Sequence, residues 1–417
     1  MTKTTTRIDA VDRQIGAAVR TLRMRRGLTM RACAELCGNS EEWLRLIESG
    51  RRPLDRLSTV TTLAVVLGVD DLAVLLGPKL RRLRCTLRDS AHVQHEAVPV
   101  LRRLLSTPTY PQDSTRDPYT ESERIRRRLS LAWSAWHRSD RPYTALGLVV
   151  PDLLRDALAL HRASPATGRR LTWQLLSETF QMAQRFLYCV GEPHLAARAA
   201  DRAMVAAEET DDPALIAVSA WSSTMAALGR AEADEAHAIA HDATGHLHHL
   251  LTTSPAAMST WGALHLFDAI AHARLRRPAD AWRSWRIAQQ AANALEPDHH
   301  HPLTMFGRAN VAIYAVAINV ETGQAANAIK GASRIDLNTI PSINRRAQHL
   351  IDLAHGHLRR NDTDAAITAL LTSEQQSGEP IAFNPAAGAV ITEIVEGSKR
   401  PPRAALDLAA RILKTKA

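Results

Sequence analysis

Short turn signals return along the second half of this chain with a regular beat, and that beat leaves few folds open. From Gly191 to Gly229, Arg277, Gly323, Asn361 and Lys399 the steps are 38, 48, 46, 38 and 38 residues, and apolar residues at helical spacing fill the intervals. A period of that order holds one pair of helices. A pair that short cannot bury its own apolar face, so successive pairs must stack. Stacking also resolves the matter of size, because 417 residues exceed what one hydrophobic core serves, whereas a repeat array grows lengthwise. Composition agrees: aromatics make up 4%, Phe and Tyr number five each, and Ala, Leu and Arg recur throughout, a mix that favours helix over strand. Several turns lead into an Ala-rich helix, as at Ala196-Ala197 to Ala203, Ala279-Asp280-Ala281-Trp282 and Thr363-Asp364-Ala365-Ala366, where small side chains let neighbours approach closely.

The N-terminal fifth differs in charge. Residues 1–90 hold 17 Lys+Arg against 10 Asp+Glu, while residues 91–417 hold 35 against 33. A concentrated positive field attracts a phosphate backbone, because each neutralised phosphate releases condensed counterions. Within this basic region three short helices can be read. Ile15, Val19 and Leu22 recur at helical spacing among Arg20, Arg23, Arg25 and Arg26, and Gly27 ends the segment. Thr29 caps a second helix from Met30 to Cys37, with Cys33, Ala34 and Cys37 facing inward and Gly38 stopping it. Ser40 caps a third from Glu41 to Ser49, with Trp43, Leu44 and Ile47 as its buried stripe and Gly50 closing it. Two short helices around a glycine turn are the helix-turn-helix arrangement, whose second helix enters the major groove.

At these residues the sequence resembles the Cro/repressor-type (XRE family) helix-turn-helix domain. The resemblance is carried by Leu28-Thr29, Ala34-Glu35-Leu36, Gly38, Ser40, Trp43-Leu44, Ile47-Glu48, Gly50-Arg51-Arg52-Pro53, Leu63-Ala64 and Leu67-Gly68-Val69, over about residues 12–77. It implies a five-helix bundle, completed by helices over Arg56 to Leu67 and Asp71 to Leu76, and it is similar to a large actinobacterial group of such regulators. It further implies that Thr29, Arg31, Arg51 and Arg52 contact phosphates, and that Ser40, Glu41, Glu42 and Arg45 face base edges. Two departures bear on reading. Met30 stands where the family commonly has Gln, and Glu41 and Glu42 bring negative charge to the face that meets DNA, where they also favour the helix N-terminus.

Past this module, Lys79 to Arg88 is a basic run that extends a helix outward. His92 to Leu105 sets Val93, Val98, Leu101 and Leu105 on one face, a connector suited to dimerisation. Ser106 to Thr120 gathers prolines with polar residues and reads as an interdomain loop. The expected domains are therefore 1–78, 79–120 and 121–417. Trp133, Trp136 and Arg141-Pro142-Tyr143 to Leu153-Leu154 form the first, atypical pair. The array resembles tetratricopeptide repeats in helix pairing and alanine positions, with a longer period and without the full signature. The expected fold is all-α: a helix-turn-helix bundle followed by an α-solenoid of stacked helix pairs. A solenoid's concave groove, lined by the first helices of successive pairs, holds an extended segment. This combination is similar to peptide-responsive regulators of Gram-positive bacteria, in which groove Asn side chains hold the ligand backbone. Asn310, with Tyr314 one turn on, is the matching candidate for a peptide or small molecule.

Other signals point elsewhere. Cys33, Cys37, Cys85 and Cys189 form no metal-ligand or redox spacing and read as small apolar residues. His237 and His241 have the i,i+4 spacing of a metal pair, but no carboxylate or Cys completes a site; they, His246, His248, His249 and the His299-His300-His301 triplet read as solvated, with no metal and no cofactor expected. Trp173, Trp221, Trp261, Trp282 and Trp285 read as inter-repeat core. No phosphate-cradling loop, nucleophile elbow or paired catalytic carboxylates stand out, so no enzyme and no catalytic residue is expected. No secretory h-region or membrane-length apolar stretch is present, which places the chain in the cytoplasm without a membrane partner. The expected function is a transcriptional regulator binding double-stranded DNA as a homodimer. The alternative is a protein-interaction scaffold whose degenerate helix-turn-helix does not read sequence.

Overall fold

The computed structural model describes residues 10–54, 57–67, 69, 76, 94–108, 118–165, 168–398 and 400–414, and every regular element among them is helical. The chain divides into two compact units, Met1–Ala91 and His92–Ala417.

In the first unit lie α1 (Ala10–Arg25), α2 (Met30–Leu36), α3 (Glu41–Glu48) and α4 (Leu57–Leu67). The helix expected over Asp71 to Leu76 and the basic run Lys79 to Arg88 fall outside the described residues, except Leu76, as does Cys85. Ile15, Val19, Cys33, Trp43, Leu44, Ile47, Leu63 and Leu67 meet in one core. Burial pushes the Cys37 thiol up to about 11 and raises that of Cys33, as the reading of both as small apolar residues requires. Gly38 turns the chain between α2 and α3 at φ +67, a backbone state that costs an L side chain roughly 1–2 kcal/mol. Gly16 has a different role: a Cβ there would stand 2.4 Å from the carbonyl oxygen of Ile47, so only glycine lets α1 cross α3 this closely. The crossing is pinned by an ion pair the sequence did not reveal. Arg23 donates from Nε (2.6 Å) and Nη2 (3.0 Å) to the Glu48 carboxylate and from Nη1 to the Leu28 carbonyl (2.8 Å).

The second unit opens with α5 (Val98–Leu105), followed by α6 (Pro118–Arg138), α7 (Pro142–Ala163), α8 (Arg169–Cys189), α9 (Pro193–Glu208), α10 (Pro213–Gly229), α11 (Ala233–Leu247), α12 (Pro255–Arg274), α13 (Pro278–Asn293), α14 (Arg308–Glu321), α15 (Ala325–Ala332), α16 (Ile343–Leu358), α17 (Thr363–Gln376), α18 (Gly378–Phe383), α19 (Pro385–Glu396) and α20 (Arg403–Lys414). The face of α5 that suited a partner is used internally: Val98, Leu101 and Leu105 are buried against α7 and α9, and Arg202 donates to the carbonyls of Leu104, Leu105 and Thr107 at its C-terminal end.

From α6 to α17 the helices form six antiparallel pairs, and the joint inside five of them is one repeated turn. Gly191, Ala231, Arg276, Gly323 and Asn361 adopt φ between +59 and +77, and the next residue's N–H reaches back five residues, as in Glu192 to Leu187 (2.9 Å) and Arg277 to His272 (2.9 Å). This is the Schellman closure, which satisfies carbonyls that a helix end leaves open. Second helices bury alanine, for example Ala196, Ala199, Ala203 and Ala207 on α9 and Ala281, Ala288 and Ala292 on α13, so the pairs sit close while larger side chains of the first helices fill the interior.

The expected open groove is corrected by the structure. Each first helix packs on the next, α6 on α8, α8 on α10, α10 on α12, α12 on α14 and α14 on α16, and α16 then packs on α6. The stack closes into a ring. His137 lies 3.0 Å from the Ser342 hydroxyl and 2.9 Å from the Pro302 carbonyl; the Glu379 carboxylate accepts from the Tyr143 (2.6 Å) and Thr144 (3.1 Å) amides; the Ser377 hydroxyl donates to the Asp140 carbonyl (2.7 Å). The open N–H groups at the start of α7 are thus satisfied by a carboxylate from near the other end of the unit.

Candidate functional site

The expected functional residues lie in two places, one in each unit: an exposed helix face and the surroundings of an internal cavity. In the first, α3 buries Trp43, Leu44 and Ile47 and presents Glu41, Glu42 and Arg45 to solvent. The Ser40 hydroxyl caps α3 by accepting from the Trp43 amide (3.2 Å), and Thr29 caps α2 by accepting from Ala32 (3.1 Å). Both residues are exposed and the caps use acceptor lone pairs, so each O–H remains able to donate to a phosphate. Arg45 is exposed and paired on its own helix: its Nε donates to Glu42 at 2.7 Å. Arg31 likewise holds Glu35 at 2.9 Å one turn along. Arg51 and Arg52, just past Gly50, are exposed and make no ion pair with described side chains. Met30 packs partly buried against the core, which accounts for an apolar residue at the start of α2.

In the second unit the ring surrounds a cavity of about 530 Å³, walled by the first helices of all six pairs. Tyr314 is in this wall; Asn310 is behind it. The Asn310 side-chain carbonyl accepts from Arg345 at Nε (3.1 Å) and Nη2 (2.6 Å), so the amide expected to hold a ligand instead holds an arginine, whose guanidinium lies over the Tyr314 ring at 5.1 Å. In the same lining Arg185 lies 4.5 Å from the centre of Trp221, which stacks on Phe267 (5.3 Å). Trp221 therefore faces the cavity instead of filling only inter-repeat core. Arg185, Tyr188 and Cys189 line the same wall and direct there what surface they keep. Burial lowers the Arg185 pKa and pushes the Tyr188 and Cys189 values up. The sequence held a faint sign of this wall: Gln181, Arg185 and Tyr188 recur at helical spacing, a cation on an otherwise inward stripe.

The histidines are only partly as expected. His241, His246, His248 and His249 are exposed. His237 pairs not with His241 but with a carboxylate from the next helix pair: its Nδ1 lies 2.6 Å from Asp268, whose other oxygen accepts from Ser284 (2.6 Å). With His272 these ligand atoms lie within 4.8 Å of one another, a grouping of the kind that holds a divalent cation. Asp268 already has two close partners, so the group works as a polar staple across α11, α12 and α13. The triplet is also not a solvated loop. His299 Nε2 lies 2.6 Å from Ser259, and burial lowers His301 to about 4; only His300 is exposed. No helix among the described residues is long and apolar enough to cross a membrane.

Residues 14–76 match the helix-turn-helix domain family. No curated protein matches the sequence. Among solved structures the chain is similar to Bacillus thuringiensis PlcR, crystallised in complex with the peptide PapR7 and DNA, with 11% identity and a TM-score of 0.30 over 68% of this chain and 95% of that one. It is also similar to BtubC (BKLC) from P. vanneervenii, with 13% identity and a TM-score of 0.36 over 63% and 93%. Scores of that size mark a loose likeness between helical proteins. The helix-turn-helix match is the finding that bears on function.

Proposed function

We propose that this chain is a DNA-binding transcription regulator of the cytoplasm, whose basic N-terminal module reads duplex DNA and whose ring of helix pairs receives a ligand that alters that reading. The observation that carries the first half is the geometry of α3 within a matched helix-turn-helix domain: one face locked by Trp43, Leu44 and Ile47, the other exposed and followed by two arginines without carboxylate partners among the described residues. With α3 in the major groove, Ser40, Glu41, Glu42 and Arg45 meet base edges, and Thr29, Arg31, Arg51 and Arg52 meet phosphates. The Glu42–Arg45 pair does not oppose this. Exposed pairs contribute only about 0.2–1 kcal/mol, less than the roughly 1–3 kcal/mol of a good bidentate base contact, so exchange of partner is favourable. Glu41 and Glu42 suit cytosine amino groups. A homodimer would place two α3 helices on half-sites of a pseudo-palindrome.

Gel shifts on DNA from the chain's own upstream region, repeated across a salt series, test this. Retention of one sequence over scrambled competitor supports the reading. Equal binding of all sequences, or none, together with partner proteins captured by the ring, would support a scaffold instead.

A further inference from the structure

The cavity's charges are unevenly resolved. Arg274 is held by Glu321 (2.9 Å) and by the Leu228 carbonyl at the end of α10 (2.8 Å), and Arg359 reaches the Val320 carbonyl at the end of α14 (3.4 Å), where a helix C-terminus favours a cation. Asp352 accepts from Gln348 (3.0 Å), and burial pushes its carboxyl up to about 6. Arg185 has no such partner. Its Nη1 meets only the Met225 sulfur (2.8 Å), a weak acceptor, its Nε is buried without a hydrogen bond, and no described carboxylate pairs with it. Arg345 is held by a neutral amide and by ring contact, and Asp352 acts on it only through space. Ring faces attract guanidinium groups but do not neutralise them. A buried cation left this way is costly unless an anion joins it.

We propose that the ring cavity binds a small organic acid, its carboxylate received by Arg185 and Arg345 and its flat apolar body lying against Trp221, Phe267 and Tyr314. This rests on the reading that the ring receives a ligand, and it specifies the ligand's class. Nη2 of Arg185, which has no acceptor among the described residues, can donate to one carboxylate oxygen while Arg345 takes the other. The rings, stacked or edge-on, suit an aromatic or other planar body. Size separates this from a peptide: 530 Å³ corresponds to a space about 10 Å across, within the usual range of small-molecule sites, while five extended residues span about 17 Å. Closure of α16 on α6 denies an extended chain an open groove.

The test is calorimetric titration of the full chain, without DNA, against matched sets: 2-naphthoate and indole-3-acetate; the alcohols 2-naphthylmethanol and tryptophol; and the amines 2-naphthylmethylamine and tryptamine. The acids should bind at least tenfold more tightly than the alcohols, with the amines weakest. Arg185→Met should erase the preference for acid over alcohol, and Arg345→Gln should reduce it. The empty Arg185→Met protein should melt higher than wild type, since an uncompensated buried cation is gone; a purely structural arginine would give the reverse. Alcohols or amines binding as well as acids, a preference that survives both variants, or binding by peptides alone would overturn the proposal, as would binding by none of the six. Gel shifts separate the two ideas. Acids that bind yet leave DNA affinity unchanged refute the regulatory reading and keep this one, whereas a neutral cavity ligand that changes DNA affinity does the opposite.

Discussion

Replacing Glu48 by Gln keeps the shape of the α1–α3 crossing and removes its charge. The Arg23 and Glu48 side chains retain only 11% and 5% of their exposure, and three hydrogen bonds converge on the guanidinium. Breaking a buried ion pair from one side costs about 3–5 kcal/mol; because Arg23 reaches the module's edge, where water can partly resolvate it, about 2–3 kcal/mol is expected. At 1.36 kcal/mol per factor of ten, amides of α1 and α3 should exchange hydrogen roughly 30- to 150-fold faster. Exchange measured by mass spectrometry on the full chain reads this directly, with α8 to α16 as an internal reference. Arg23→Met should behave similarly, and Arg23→Met combined with Glu48→Leu should recover much of the loss, since no charge is then stranded. DNA affinity should fall with the single variants because α3 loses the anchor that orients it. Wild-type protection in both single variants, or a double variant as weak as the two losses added, would refute the idea that this pair sets the crossing.

Changing Arg51 and Arg52 together to Glu should weaken binding to all DNA sequences alike and flatten the plot of log affinity against log salt by about two units per protomer; an unchanged slope would remove both from the phosphate contacts. Arg276→Gly and Ala231→Gly should each raise stability by about 1 kcal/mol, because both residues hold left-handed backbone (φ +60 and +64), and a thermal melt that does not rise would deny that strain. Acid should destabilise the second unit early. Burial holds His137 at about 3 and His161, His265, His301 and His349 at about 4, so the unfolded chain, with histidines near 6.5, binds more protons and stability falls as pH drops below that value. Each contributes about 1.4 kcal/mol of loss at pH 5.5, and His95, His272 and His355, also lowered by burial, add to it. Asp352, raised to about 6, and Glu178 and Asp201, raised by burial, oppose it in smaller number, and a melting temperature constant from pH 8 to pH 5 would contradict the assignment.

Local chemistry was legible in the sequence, and chain closure was not. Thr29, Ser40 and Gly38 announce α2 and α3 because caps and positive-φ turns depend on neighbouring residues alone. The repeat beat was visible wherever its turn used Gly191, Gly323 or Asn361, and blurred where Ala231 and Arg276 take the same backbone state against their preference. Asn310 and Tyr314 were correctly seen as neighbours on α14, yet what decides the role of Asn310 is Arg345, 35 residues on. His237 and Asp268 are separated by 31 residues, and the ring joint connects residues more than 200 apart, as His137 to Ser342. Periodicity states that helices pair; it carries no term for where the last pair meets the first.

That joint gives the cavity its leverage. An open solenoid couples each repeat only to its neighbours, but a closed one transmits a change at any pair around both arcs. Arg185 belongs to α8 and Arg345 to α16, the two first helices that flank α6, and His137 on α6 feels both charges and stays neutral. An anion held by both arginines would fasten the helices on either side of the place where the first and last pairs of the stack meet. The polar contacts closing that place are worth about 1 kcal/mol each, and a ligand at a hundred times its dissociation constant adds about 2.7 kcal/mol to the state that binds it. The five contacts together contribute about 5 kcal/mol, so a bound anion reinforces the closed ring by about half of what its polar contacts supply, provided the open ring binds the anion more weakly. Separation of α6 from α16 ends the shared approach of the two guanidinium groups, which supplies that difference in affinity.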